Sequence, residues 1–210
     1  MGALQFATTT FVPPFAQGVL GRSPLEAGLA LGAMSIAWPI GSTTTGWFLL
    51  RIGYRRAVIA GTLGPVVGGL ALMTLTPESP LTFLVIGSAL IGLGMGVTST
   101  PLLVAVQSVV AYRQRGIVTS LTNFGRSLGG AVGVAALGAT LNAAIGGRAE
   151  EVQAALDPRA AATASGTREL LAGGLHTVFI ALVVVAAVSL VLALRLPAHD
   201  FEARAHSETA

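Results

Sequence analysis

Arg126 stands apart among the groups that could do chemistry in this chain. It lies about ten residues inside an apolar stretch, roughly 15 Å along a helix axis at about 1.5 Å per residue. An arginine near the centre of a membrane helix costs roughly 2.5–3.5 kcal/mol on insertion scales. Asn123 precedes it by one turn on the same helical face, so the two form a donor-rich patch. Two roles are open to the guanidinium. It reaches along its own stem to the interface or to a neighbouring carbonyl, or it is a buried cation that contacts a substrate or an acid on another helix. The apolar stretches of this chain contain no acid, since Glu26 and Glu78 lie at their ends. A carboxylate partner or a carboxylate proton relay therefore has to come from elsewhere. Gln107, Trp38 and Phe124 join Arg126 and Asn123 as candidates to line a substrate cavity.

Other chemistries are excluded by residue type. The chain has no cysteine, which removes disulfides, thiolate metal sites and Cys nucleophiles. An intramembrane serine protease needs a histidine base inside the membrane, but His176 is at a stretch end and His199 and His206 are in the tail. Paired carboxylates or a His/Asp cluster suited to a metal are missing, and lysine is absent, so a phosphate-binding loop has no lysine to offer. The run Gly92-Leu93-Gly94-Met95-Gly96 has apolar flanks and reads as helix packing rather than a nucleotide loop. No enzyme activity, metal or cofactor is expected.

The elements that would position these residues are membrane spans. Of 210 residues, 53% are hydrophobic and only 10% charged, against about 25% charged in a soluble domain. Mean hydropathy is +0.77. This excludes a disordered chain, a disulfide scaffold and a nucleic-acid binder. Residues 1–10 lack the basic start of a signal peptide, and Phe6 stands where myristoylation wants Ser or Thr. Six candidate spans follow from the Gly, Pro and Arg punctuation: Gly2–Leu20, weak and broken by Pro13-Pro14; Pro24–Leu50; Arg56–Leu75; Leu81–Ala111, kinked at Pro101; Gly116–Ile145; and Gly174–Leu196. The expectation is an all-α membrane protein, a six-helix transmembrane bundle over 1–197 with an extracytoplasmic loop at 147–173 and a cytoplasmic tail at 198–210. Short loops on one side carry Arg51, Arg55, Arg56, Arg113 and Arg115, and those on the other only Arg22. Arginine marks the cytoplasmic side, so both termini are placed in the cytoplasm, in the cell membrane.

Polar residues are uneven among the spans. The first, second, fourth and fifth carry runs of Ser, Thr, Gln and Asn, while the third and sixth are almost bare. Either the four polar spans line a wet cavity, or their hydroxyls bond between helices with no cavity at all. Glycines at four-residue spacing, Gly92 and Gly96, Gly64 and Gly68, and Gly125, Gly129 and Gly133, mark faces where helix backbones could approach closely.

Three stretches carry a resemblance: Ser23-Pro24-Leu25-Glu26-Ala27-Gly28-Leu29; Gly92 to Gly96 followed by Pro101-Leu102 and Val104-Ala105-Val106-Gln107; and Arg115-Gly116 with Asn123, Arg126, Leu128-Gly129-Gly130 and Gly133-Val134. Together the chain resembles the major facilitator superfamily, in particular the 14-helix drug:proton antiporters of bacteria, and maps onto the C-terminal six-helix half. Gly174 to Phe179 is similar to the start of that family's last helix. The family's cytoplasmic loop motif, Gly-x-x-x-Asp-Arg-x-Gly-Arg-Arg, is echoed by Gly46, Arg51, Gly53, Arg55 and Arg56, with Leu50 in place of the Asp and Tyr54 in place of an Arg. The resemblance implies half of a major facilitator fold, with the first, second, fourth and fifth helices around a cavity. It implies gate-loop roles for those five residues, with the acid's ion pair lost. It also implies a small hydrophobic or cationic substrate and proton coupling by acids of the absent N-terminal half. The expected partners are the lipid bilayer and either an N-terminal half-transporter chain or a second copy, with no nucleic acid. A gene fragment or a genuine half both fit. The alternative is a non-transporting membrane protein that binds or modulates a full transporter.

Overall fold

The computed structural model describes residues 1–108, 110–146 and 165–196. Six helices account for nearly all of them: α1 (Gly2–Pro14), α2 (Pro24–Ile52), α3 (Tyr54–Met73), α4 (Leu81–Ser108), α5 (Arg115–Ala144) and α6 (Ser165–Leu194). Of the spans built from them, Tyr54–Met73, Leu81–Ser108, Tyr112–Ala144 and Arg168–Leu194 are each long and apolar enough to cross a membrane. α2 has the length, but its Ser/Thr run, Trp38 and Pro39 dilute its hydropathy. α1 is 13 residues, short of the roughly 20 that a span requires.

Local sequence explains most boundaries. Ser23 and Glu26 form a capping box at the start of α2, with the Ser23 amide donating to Glu26 Oε2 at 2.8 Å and the Glu26 amide donating to Ser23 Oγ at 3.3 Å. Pro24 fills the first helical position, where its missing N–H is harmless. A single residue separates α2 from α3. Gly53 sits at φ 76°, ψ 158°, a conformation that is essentially restricted to glycine, and the third helix therefore begins at Tyr54 rather than Arg56. Pro13-Pro14 does not break the first helix. The helix runs through both and continues as a π turn over Phe15–Val19, where the Leu20 amide donates to Phe15 O at 3.0 Å. Pro39, Pro65 and Pro101 likewise lie inside continuous helices.

The sixth helix differs most from expectation. It starts at Ser165, nine residues before the expected Gly174, so 165–173 belongs to α6 and not to a loop. The Arg168-Glu169 pair and the Gly173-Gly174 step look like a boundary in sequence. In the fold, Leu171, Leu175, Val178, Phe179 and Leu182 form one buried stripe that carries the helix through both. The remainder of the expected loop, 147–164, and the tail beyond 196 lie outside the described residues.

α4 packs between α2 and α3, α1 packs against α5 and α6, and α3 against α6 joins the two groups. Two packing groups result, α2–α3–α4, contiguous in the chain, and α1–α5–α6, which draws helices from both its ends. The core runs from Leu4, Phe11 and Phe15 on α1 to Leu72, Leu84, Ile91, Met95, Leu175 and Phe179. Phe15 and Phe179 meet edge to face at 5.3 Å. Exposed apolar stripes run down α3 (Leu63, Val67, Leu70), α6 (Ile180, Val184, Val188, Val191) and α5 (Ile117, Leu121, Phe124, Leu128, Val132).

Candidate cavity wall around Arg126

Two glycine contacts set where Trp38 and Arg126 stand. Gly92 and Gly96 on α4 press against α2, where a Cβ at Gly92 would collide with Met34 O and one at Gly96 with Trp38 O. Gly41 on α2 reciprocates against Leu93 O. The Trp38 backbone is thus seated on bare α4 backbone. On the other side Gly2 of α1 seats on α5, where a Cβ would collide with Arg126 O. Gly130 and Gly133 continue that contact, under Phe6 and Ala3.

The Arg126 side chain leaves α5 at this level and bridges towards α2. Its guanidinium lies over the Trp38 ring, 5.7 Å from the centroid, and Nη2 donates to Asn123 Oδ1 at 3.0 Å. Trp38 is fourteen residues into a 29-residue helix, so the cation sits beside the middle of α2 and not at its end. Among the described residues Arg126 has no acidic partner; Arg22 and Glu26, at 3.6 Å, form the one ion pair found. One helical turn and more towards the N-terminal end of α5, Gln107 Nε2 on α4 donates to Thr119 Oγ1 at 2.9 Å. Thr119, Asn123 and Arg126 occupy positions i, i+4 and i+7, one face of α5.

The structure therefore brings together Arg126, Asn123 and Trp38, with Gln107 held by Thr119 on the same side. It does not bring Phe124 to them. That ring is exposed on the apolar stripe of α5, some 160° around the helix from Arg126 at about 100° per residue. Gly125 and Gly129 are also not packing residues within this chain, because a Cβ at either meets nothing within 4 Å. A four-residue step advances about 40° around a helix, so the glycine row drifts off the α1 contact, which Gly133 keeps. A cleft of about 540 Å³ between α1, α5 and α6 is lined by Leu4, Ala7, Gly133, Leu137, Ile180 and their neighbours. It is apolar and is separate from the Arg126 cluster.

The hydroxyls do little bonding between helices. Most bond their own helix: Thr8 to Leu4 O, Thr43 to Pro39 O, Thr45 to Gly41 O, Thr98 to Gly94 O, Ser99 to Met95 O and Thr122 to Val118 O, at 2.7–2.8 Å. Between helices, only Ser42 to Gly96 O at 3.4 Å and Thr100 to Ser42 O at 3.5 Å join hydroxyl to backbone among the described residues.

In the motif loop between α2 and α3, Gly53 makes the tight turn and Arg55 Nη2 donates to Leu194 O at 2.9 Å, tying the start of α3 to the end of α6. Arg51 and Arg56 are exposed, and Gly46 faces open space. At the opposite end Arg168, passed over in the sequence as loop, donates through Nε to Val19 O at 2.6 Å and through Nη2 to Pro77 O at 3.1 Å. The start of α6 is thereby held to the π turn after α1 and to the α3–α4 loop. The signal for it was present in the apolar register of Leu170, Leu171 and Leu175.

Comparison with known proteins agrees with this architecture. Residues 1–134 match the Major Facilitator Superfamily. A multidrug transporter protein of Bacillus subtilis, MdtP, is 38% identical over 141 residues, covering 67% of this chain and 26% of that protein. A puromycin resistance protein of Streptomyces alboniger is 33% identical, covering 63% of this chain and 27% of its own length. Multidrug resistance protein 3 of Bacillus subtilis is 31% identical, covering 61% of this chain and 25% of its own. The chain matches about a quarter of the length of each of these relatives. With that family matched over residues 1–134 and the motif glycine at the α2–α3 turn, this helical chain belongs to the major facilitator superfamily.

Proposed function

We propose that the chain supplies one wall of a multidrug-efflux transporter of the facilitator type and works with a second half that faces Arg126 and Trp38. The observation that carries this is the Arg126 bridge from α5 to α2, two helices that otherwise barely meet. A cation is held at mid-bundle depth with neutral partners only, where an arginine is expensive unless it serves a site. Relatives named for multidrug transport, puromycin resistance and multidrug resistance support export of small molecules across a bilayer. In this reading both termini lie in the cytoplasm and the chain corresponds to the C-terminal half. Substrate would bind near the midplane between the halves, and access would alternate as the halves rock.

The test is co-expression with an N-terminal facilitator half in a strain without its own efflux pumps. Export of a fluorescent hydrophobic dye should appear only with both halves and fall at least about tenfold with Arg126→Ala at equal expression. That factor corresponds to roughly 1.4 kcal/mol of lost interaction. Wild-type export by Arg126→Ala would return Arg126 to a purely structural role. No export by any pairing, with a change in a resident full-length transporter instead, would favour the modulator reading.

A further inference from the structure

The charge of the Arg126 cluster bears on what the wall binds, and here the reading rests on the cavity proposed above. The guanidinium has one N–H engaged, to Asn123 Oδ1, and one side of its plane held against the Trp38 ring. Its remaining N–H donors have no acceptor among the described residues. The Asn123 amide uses its oxygen on Arg126, which leaves its NH2 directed outward as a donor as well. The cluster is thus a patch of donors with its acceptor already spent. On the other flank of Arg126, Gly129 and Gly125 lie about 60° and 100° around α5, and a side chain at either would meet nothing within 4 Å. Bare backbone beside a fixed guanidinium leaves room for a ligand to approach the cation edge-on, the geometry in which arginine takes both oxygens of a carboxylate. No acid lies between Glu26 and Glu78 or between Glu78 and Glu150, which covers α2 to α5, so this wall has no carboxylate to offer a cation, and its aromatic face at Trp38 is already taken by Arg126.

We infer that this wall recognises an anionic group, and that its ligand is a hydrophobic organic acid whose carboxylate docks on Arg126 and Asn123 beside Trp38. Of the hydrophobic or cationic substrate that the family resemblance implies, this wall, whose one charge is positive, favours the hydrophobic kind. Desolvation in the closed bundle strengthens the pairing with an anion and penalises an ammonium in the same place.

The experiment uses the full chain in zwitterionic nanodiscs with Trp47→Phe, which leaves Trp38 as the one tryptophan. Two probes share a body and differ in head group: pyrenebutyrate, and the matching pyrenebutyl-trimethylammonium. Energy transfer from Trp38 to pyrene reports binding. The carboxylate should bind at least about tenfold more tightly than the ammonium. Arg126→Gln should remove that difference with unchanged helix content, and Arg126→Lys should retain part of it. Equal binding of the two probes, tighter binding of the ammonium, or an unchanged preference in Arg126→Gln would each overturn the inference. So would loss of the preference on adding the N-terminal half, since Arg126 would then be paired with an acid of that protein. Transport by joined halves without any carboxylate preference would defeat this inference alone. A preference dependent on Arg126 without transport by any pairing would leave the site standing and defeat the transporter reading.

Discussion

Arg126 gains its position from residues that have no side chain. Gly2 lets α1 lie on the Arg126 carbonyl, and Gly96 lets α4 lie on the Trp38 carbonyl. The cation and the ring then meet across a gap that α2 and α5 do not close themselves. Gln107 and Thr119 show a simpler case, one direct side-chain bond between α4 and α5 at 2.9 Å. Interhelical hydrogen bonds in membrane proteins average about 0.6 kcal/mol in double-mutant cycles, because the separated helices find other partners. Thr119 has such a partner already in Arg115 O. A cycle of Gln107→Leu and Thr119→Val, read by unfolding in detergent micelles, should therefore give a coupling of about 0.6 kcal/mol. A coupling near zero would show that the bond contributes nothing to the α4–α5 contact.

Helices in this bundle meet through glycine where they meet closely. α2 on α4 uses Gly41, Gly92 and Gly96; α3 on α4 uses Gly61, Gly64, Gly68, Gly87 and Gly94. Gly125 and Gly129 on α5 have the same spacing and no neighbour. Alanine should separate the two classes. At Gly96 the added methyl must displace the Trp38 carbonyl, and overpacking of this kind costs about 1–3 kcal/mol. At Gly125 it meets open space, and alanine is favoured over glycine in a helix by up to about 1 kcal/mol. Gly96→Ala should therefore lower the melting temperature of the purified protein, and Gly125→Ala should leave it level or raise it. A lower melting temperature for Gly125→Ala at fixed oligomeric state would mean that the α5 face packs after all. The same two variants separate positioning from binding: Gly96→Ala should also weaken the Trp38–Arg126 contact, visible as a change in Trp38 emission.

For the molecule as a whole, the charged loops bear on the proposed orientation and the missing acids on the proposed activity. Arg51, Arg55, Arg56, Arg113 and Arg115 crowd one end of the bundle, and cytoplasmic loops carry such an excess. With no native cysteine to interfere, cysteine introduced at Glu78 should react with an impermeant thiol reagent in intact cells. Cysteine at Gln114 should not. The reverse pattern would invert the topology proposed here. The second expectation concerns coupling. Proton-coupled export usually needs an intramembrane Asp, Glu or His that gains and loses a proton. A guanidinium stays charged, and the early start of α6 places His176 eleven residues inside the helix rather than at its end, where α1, α3 and α5, which pack on α6, offer it no acid to exchange a proton with. The chain alone in liposomes should therefore move no cationic dye in response to a pH gradient. Dye movement that a protonophore abolishes, absent from empty vesicles, would show that a single half is sufficient.

The sequence by itself determined the class of molecule, the number of helices and the identity of the residue on which the proposed site is centred. Hydrophobic composition and the length of apolar runs act locally on the chain, so they could be read residue by residue. An arginine amid apolar neighbours announces itself in the same way, as does the Ser23–Glu26 capping box. The α2–α3 turn at Gly53 was legible as a motif, although its one-residue length was not. Contacts between residues far apart in the chain were the work of the tertiary structure. Seating of Gly2 on Arg126 O and of Gly96 on Trp38 O, the turning of Phe124 away from the cavity side and the idle glycines at 125 and 129 all depend on helix rotation, which a neighbouring backbone sets and periodicity alone leaves free. The early start of α6 has the same cause: the buried stripe from Leu171 to Leu182 gains more by packing than the Gly173-Gly174 step loses in helix propensity.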